Sequence, residues 1–92
     1  MNVVFAEWVR CGKTYIYALP KGYKVRAGER IIVPDKLSGG EAKILAVCDS
    51  ATLPESMVDV IMGAFGSSHK DIVYAVGKII DNPQEIRFSK RG

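Results

Sequence analysis

The run Tyr15-Ile-Tyr-Ala-Leu-Pro-Lys-Gly-Tyr-Lys-Val-Arg-Ala-Gly-Glu-Arg-Ile-Ile-Val-Pro34 joins two short strand patterns through a loop whose glycines and prolines each have a mechanical reason. Thr14, Ile16 and Ala18 alternate with Tyr15, Tyr17 and Leu19, the period of a strand with two distinct faces. Pro20 offers no N–H to a ladder and ends that strand, and Gly22 lets the chain turn back. Val25 anchors the connection from inside. Ala27-Gly28-Glu29 is then a turn into a third strand, Arg30 to Val33, which Pro34 closes.

Working outward, Asn2 to Arg10 carries Val3, Val4, Phe5, Trp8 and Val9, a β-branched and aromatic content that favours a first strand with one face buried and the other partly covered. Cys11-Gly12 supplies the turn of a first hairpin. Downstream, Ser38-Gly39-Gly40 lies in a hairpin loop. Glu41 to Cys48 is the fourth strand, with Ala42, Ile44, Ala46 and Cys48 on one face and Lys43, Leu45 and Val47 on the other.

The periodicity changes after Asp49. Thr52-Leu-Pro-Glu55 fits a capping box, and Val58, Ile61, Met62 and Phe65 recur at helical spacing before Gly66, a suitable left-handed stop. One helix near residues 53–65 is expected, closing one end of the barrel, with Met57 and Met62 as core filler. Asp71 to Ile80 satisfies a helical stripe as well as a strand. Its β-branched density and Gly77 favour a long strand with a bulge at Gly77. Glu85 to Phe88 reads as a last short strand, and Ser89 to Gly92 as a basic tail.

At 92 residues the chain is expected to be a single domain, 1–92, burying about 60% of the surface its unfolded form exposes. With 48% hydrophobic and 25% charged residues it falls among globular proteins rather than disordered ones. No apolar run approaches the ~18 residues that cross a bilayer, and the first residues lack the basic and cleavable parts of a signal peptide. A cytoplasmic protein without a membrane role is the expectation. Cys11 and Cys48 have no metal-ligand spacing and read as reduced thiols, so no metal and no cofactor is expected.

The net charge of +3 sits wholly in residues 1–50, where eight bases face five acids. Trp8, Tyr15 and Tyr17 interleave there with Lys24, Arg26 and Arg30. On small barrels such aromatics stack bases while cations follow the phosphates, each stacked base being worth about 1–3 kcal/mol. The competing reading is that the rings fill the barrel and the cations keep it in solution. Gly12-Lys13-Thr14 looks like the end of a phosphate loop, but the glycine that motif needs five positions earlier is Glu7, and a strand pattern follows. His69 is the only histidine, set in a Gly-Ser-Ser-His-Lys run that reads as a solvated loop. The acids are scattered singly, so no catalytic residues are expected and a small enzyme ranks last among the readings. A sheet edge that pairs with a second copy is a further possible surface, with Lys70, Asp71 and Lys78 as charges able to block it.

The pattern Tyr15-x-Tyr17-x-x-Pro20-x-Gly22-x-x-Val25-x-x-Gly28-Glu29-x-Ile31-Ile32-Val33-Pro34, followed by a glycine loop and Ala42-x-Ile44-Leu45-Ala46-Val47, resembles two groups of proteins. One is the N-terminal 3-prime-end DNA-binding domain of the primosomal replication-restart helicase. The other, and closer, is a set of small phage and prophage proteins with a Gly-Lys-x-Tyr hairpin and a Val-x-x-Gly-Asp strand entry. The overlap covers residues 3–48. The matching Pro20, Gly22, Val25, Gly28 and Pro34 are structural, so DNA-end binding is not carried over, and neither is the ATPase of the helicase motor.

The sequence therefore predicts an α+β domain: a four- or five-stranded antiparallel, SH3-like or OB-like barrel with one helix. The function expected is a non-enzymatic binding or assembly module, phage- or prophage-related, acting on a protein partner or on its own copy. The alternative is a weak single-stranded nucleic-acid binder using Trp8, Tyr15, Tyr17, Lys24, Arg26 and Arg30.

Overall fold

The computed structural model describes residues 1–9, 11–35, 41–81 and 84–88. The strands are β1 (Asn2–Glu7), β2 (Thr14–Ala18), β3 (Arg30–Asp35), β4 (Glu41–Thr52), β5 (Gly77–Asp81) and β6 (Gln84–Arg87), with one helix, α1 (Glu55–Gly63), between β4 and β5. All six strands form one sheet in the order β2-β1-β4-β3-β5-β6, every neighbouring pair antiparallel. The class is thus α+β as expected, with six strands rather than four or five. The ladder itself is open, running from β2 to β6. An isolated parallel bridge joins Ala18 of β2 to Tyr74.

The glycine turns lie where the sequence puts them. Gly12, Gly22 and Gly28 all take positive φ, at 68°, 90° and 91°, a region in which a Cβ would be crowded. At the first, Gly12 N–H bonds the Trp8 carbonyl while Trp8 N–H bonds that of Lys13, which closes the β1–β2 hairpin. The register Val4↔Tyr17 and Phe5↔Ile16 then fixes which side chains share a face.

Both faces of that hairpin are covered. Val4, Ala6, Tyr17 and Leu19 join Val25, Ile31, Val33, Leu45, Val47, Ala75 and Phe88 in the larger core. Val3, Ile16 and Ala18 turn the other way and pack with Val58 and Ile72, flanked by Phe5, Ile61 and Met62. Helix α1 therefore lies on the second face of β1 and β2, rather than across an end of a barrel as expected. Burying side chains such as Val3, Ile31 and Val58, all fully enclosed, contributes about 1.5–3 kcal/mol each.

Three local expectations are corrected. First, Pro34 does not close β3, which continues to Asp35. The Ile32 carbonyl accepts from Val76 on the β5 side, so Pro34, two residues on, turns its nitrogen to that same side. There the pairing with β5 goes no further than Ile32, and no ladder bond is lost.

Second, β4 runs on to Thr52. Phe5 pairs with Asp49 but Ala6 with Val47, so Cys48 is an extra residue in a bulge. Continued alternation after Lys43, Leu45 and Val47 would drive Asp49 into the core. The bulge leaves Asp49 outside and brings Ser50 in, where its hydroxyl donates to the Val25 carbonyl.

Third, the capping box is not formed. Pro54 occupies the N-cap position with no side-chain capping bond, and the Thr52 hydroxyl bonds Asn2 Oδ1 at 3.0 Å instead. At the other end of the helix Gly66 is the left-handed stop (φ 74°), with Ser67 N–H on the Met62 carbonyl.

Residues 71–80 are neither a helix nor one long strand. A single 3-10 turn, His69–Asp71, precedes an extended stretch that becomes β5 at Gly77. The irregularity in β5 lies between Ile79 and Asp81, not at Gly77. Gly77 is required by close approach, since a Cβ there would stand 2.6 Å from the Ile86 carbonyl oxygen. Of the loop expected at Asp35 to Gly40, Asp35 is instead the last residue of β3, while residues 36–40, Gly40 included, and the tail at 89–92 fall outside the described residues.

Candidate functional site

The six residues expected to hold nucleic acid do not form one surface. Tyr17 is buried in the larger core, and its phenol oxygen accepts from Trp8 Nε1 at 3.1 Å. Burial pushes the Tyr17 phenol above its ordinary pKa, against the hydrogen bond from Trp8, which lowers it. Tyr15 meets Trp8 edge to face at 6.4 Å and leans on Phe65 at 5.9 Å. Lys43 Nζ lies 5.2 Å from the Trp8 ring centre, within cation–π range. These rings are packing first, and only Trp8 and Tyr15 keep a partly open side.

Lys24, Arg26 and Arg30 are exposed, but on the loop that enters β3 and on β3 itself. The main chain of that loop is tied down: Glu29 accepts from Arg26 N–H at 2.7 Å and pairs with Lys78 Nζ at 3.6 Å, while Lys78 also donates to the Lys24 carbonyl at 3.1 Å. Lys78 thus braces the loop instead of guarding an edge, because β5 lies inside the sheet between β3 and β6. Lys70 and Asp71 belong to the 3-10 turn and guard no edge either.

His69 departs from the expected solvated loop. Its backbone N–H and its Nδ1 both lie 2.8 Å from Asp59 Oδ1, and its Nε2 is 3.4 Å from Glu55. Glu55 and Asp59 stand one helical turn apart on α1, so the histidine pins the 3-10 turn to the helix. The Asp59 carboxyl is held below its ordinary pKa, first by the His69 backbone N–H and next by the ring. Cys11 and Cys48 are free and exposed. Among the described residues there is no group of three or more metal-ligating side chains, and no helix long and apolar enough to cross a membrane.

The surface that sequence reasoning missed is a cleft of about 740 Å³ lined by Leu19, Pro20, Lys21, Pro34, Tyr74, Ala75, Val76 and Phe88 together with Met1 and Asn2. Its lining comes from the β2 exit, the far end of β3, the segment leading into β5 and the end of β6. A side chain entering it would meet mainly apolar walls, with Lys21 the one charged side chain among the described lining. In the sequence only Pro20 and Pro34, main-chain positions without a donor, mark its walls.

No protein-family model matches the chain, and no curated protein and no solved structure matches it either.

Proposed function

We propose that the chain is a non-enzymatic binding module of the phage or prophage kind that its sequence resembles, and that it holds an apolar part of a protein partner in the cleft beside Tyr74. The observation that carries this reading is the cleft itself. Its volume, about 740 Å³, falls within the range of specific ligand pockets, and its apolar walls with one charged side chain are what such pockets use. The proposal includes closure of the fold into a small SH3-like or OB-like barrel. In support, Ala18 N–H bonds the Val73 carbonyl and Ala75 N–H bonds that of Ala18, both at 2.9 Å, so the lead-in to β5 reaches the opposite edge strand.

The test is a titration of isotope-labelled protein with small apolar probes such as indole and benzene, followed by NMR. Shifts should gather on Leu19, Tyr74, Ala75, Val76 and Phe88. If millimolar probe moves none of them, the cleft is not a binding site.

Single-stranded nucleic acid is the second reading, favoured by the exposure of Lys24, Arg26 and Arg30 and the open sides of Trp8 and Tyr15. The burial of Tyr17 weighs against it. Titration with oligothymidine at low salt should then quench Trp8 fluorescence, an effect that fades steeply as salt rises. An unchanged signal at about 100 µM oligonucleotide removes this reading, since nonspecific binders of this type reach that range. Self-association would use the outer edge of β6, where Ile86 is exposed. A monomer mass independent of concentration in light scattering would exclude it.

A further inference from the structure

The cleft is a wedge between two pieces of backbone. β3 pairs with β5 as far as Ile32↔Gly77 and then runs on to Asp35 with only β4 beside it. The chain leading into β5 touches β3 at Val76, whose N–H bonds the Ile32 carbonyl, but residues 73–75 belong to β2 through Ala18. The two segments diverge from that point, with Pro34 on one wall and Tyr74, Ala75 and Val76 on the other.

Successive residues of an extended chain turn their polar groups to opposite sides. Val73 and Ala75 spend theirs on Ala18, so Tyr74 aims its N–H and C=O away from β2 and towards the wedge. Neither group has a hydrogen-bond partner among the described residues. Across the wedge Pro34 presents a carbonyl on the same side as that of Ile32, and its nitrogen has no hydrogen to leave unpaired. A small apolar molecule would leave the Tyr74 pair unused, whereas an extended peptide would satisfy both groups while its alternate side chains enter the cleft. Lys21 at the rim, with no acid among the described lining, favours a carboxylate on that peptide.

We propose that the wedge accepts an extended, apolar segment of a partner protein as an added strand, paired to the main chain of Tyr74, with an acidic residue of the segment at Lys21. This rests on the cleft being the binding site and names what it binds.

The probes are two pools of octapeptides that alternate apolar and polar residues, one with a terminal Asp and one with Lys in its place, added to the isotope-labelled full chain. The Asp pool should shift the Tyr74 amide and slow its exchange with solvent, and should bind about tenfold more tightly than the Lys pool. Lys21→Glu, an exposed substitution, should reverse that order. Shifts at Leu19, Val76 and Phe88 with an unchanged Tyr74 amide would overturn strand addition while leaving an apolar binding site in place. Equal binding of both pools, with no response to Lys21→Glu, overturns the acidic partner. If neither peptides nor the small apolar probes move any cleft residue, the binding site falls with the strand.

Discussion

Trp8 Nε1 donates to the phenol oxygen of Tyr17 at 3.1 Å across the β1–β2 hairpin, so the residues best suited to stack on a ligand hold each other instead. The bond satisfies the polar tip of a buried ring and fixes the indole over the end of the larger core, where Tyr15 and Lys43 pack on it.

Tyr17→Phe removes the acceptor and leaves the indole N–H without its partner. A stability loss of about 1 kcal/mol is expected, the usual net contribution of one such bond, together with a shift in Trp8 emission. Urea unfolding followed by fluorescence measures both. An unchanged midpoint would mean that water replaces the phenol at no cost.

Two glycine substitutions should have opposite signs. Gly77→Ala sets a Cβ 2.6 Å from the Ile86 carbonyl oxygen, a backbone atom that cannot swing aside, so β5 and β6 must separate at a cost of about 1–3 kcal/mol. Gly63→Ala meets nothing within 4 Å at the last position of α1 and should stabilise by about 0.5 kcal/mol through the unfolded chain. Thermal melts of the pair decide the matter, and a stable Gly77→Ala protein would contradict the close approach.

Asp59 links stability to pH. Its folded pKa is depressed by His69, so the native state takes up that proton less readily than the unfolded chain does. The contribution is present above the ordinary carboxylate value of 3.8 and is lost as pH falls through the folded value. The urea midpoint of the wild type should therefore decline between about pH 5 and pH 3 more steeply than that of Asp59→Asn. The carboxylate is solvent-accessible, so the difference will be modest. Parallel curves would show that the histidine contact carries no linkage.

The bulge in β4 predicts a deletion phenotype. Removing Cys48 deletes the extra residue, so Val47 and Asp49 become successive and simple alternation keeps Asp49 outside and Ser50 inside, as the bulge does now. The deletion should therefore be tolerated, at a cost of no more than about 1 kcal/mol, and Cys48→Ser, at an exposed position, should be within about 0.5 kcal/mol of wild type. Circular dichroism melts of the two variants compare them directly. A loss of several kcal/mol in the deletion alone would show that the β1–β4 ladder depends on the bulge and that Cys48 is not a spare residue.

Much of the leading half was legible because its signals are local. Gly12, Gly22 and Gly28 turn where positive φ is needed. Tyr15, Tyr17 and Leu19 share one face and Ile16 and Ala18 the other, because a strand's period is two whatever surrounds it. The helix was likewise visible in Val58, Ile61 and Met62, with Gly66 to stop it. The capping box was misread because Thr52 competes for two roles, and pairing of β4 with β1 carries it to Asn2 before it can cap α1.

What the residues fixed alone is the leading hairpin, its glycine turns and which of its side chains share a face, since these follow from steric limits on each φ and from alternation along the chain. Which faces end up covered, why Gly77 must be glycine, how His69 reaches Asp59 and that the Tyr74 N–H and C=O meet no hydrogen-bond partner among the described residues were decided by tertiary structure. Each of those depends on distant segments meeting, and the geometry of a meeting is written in neither segment separately.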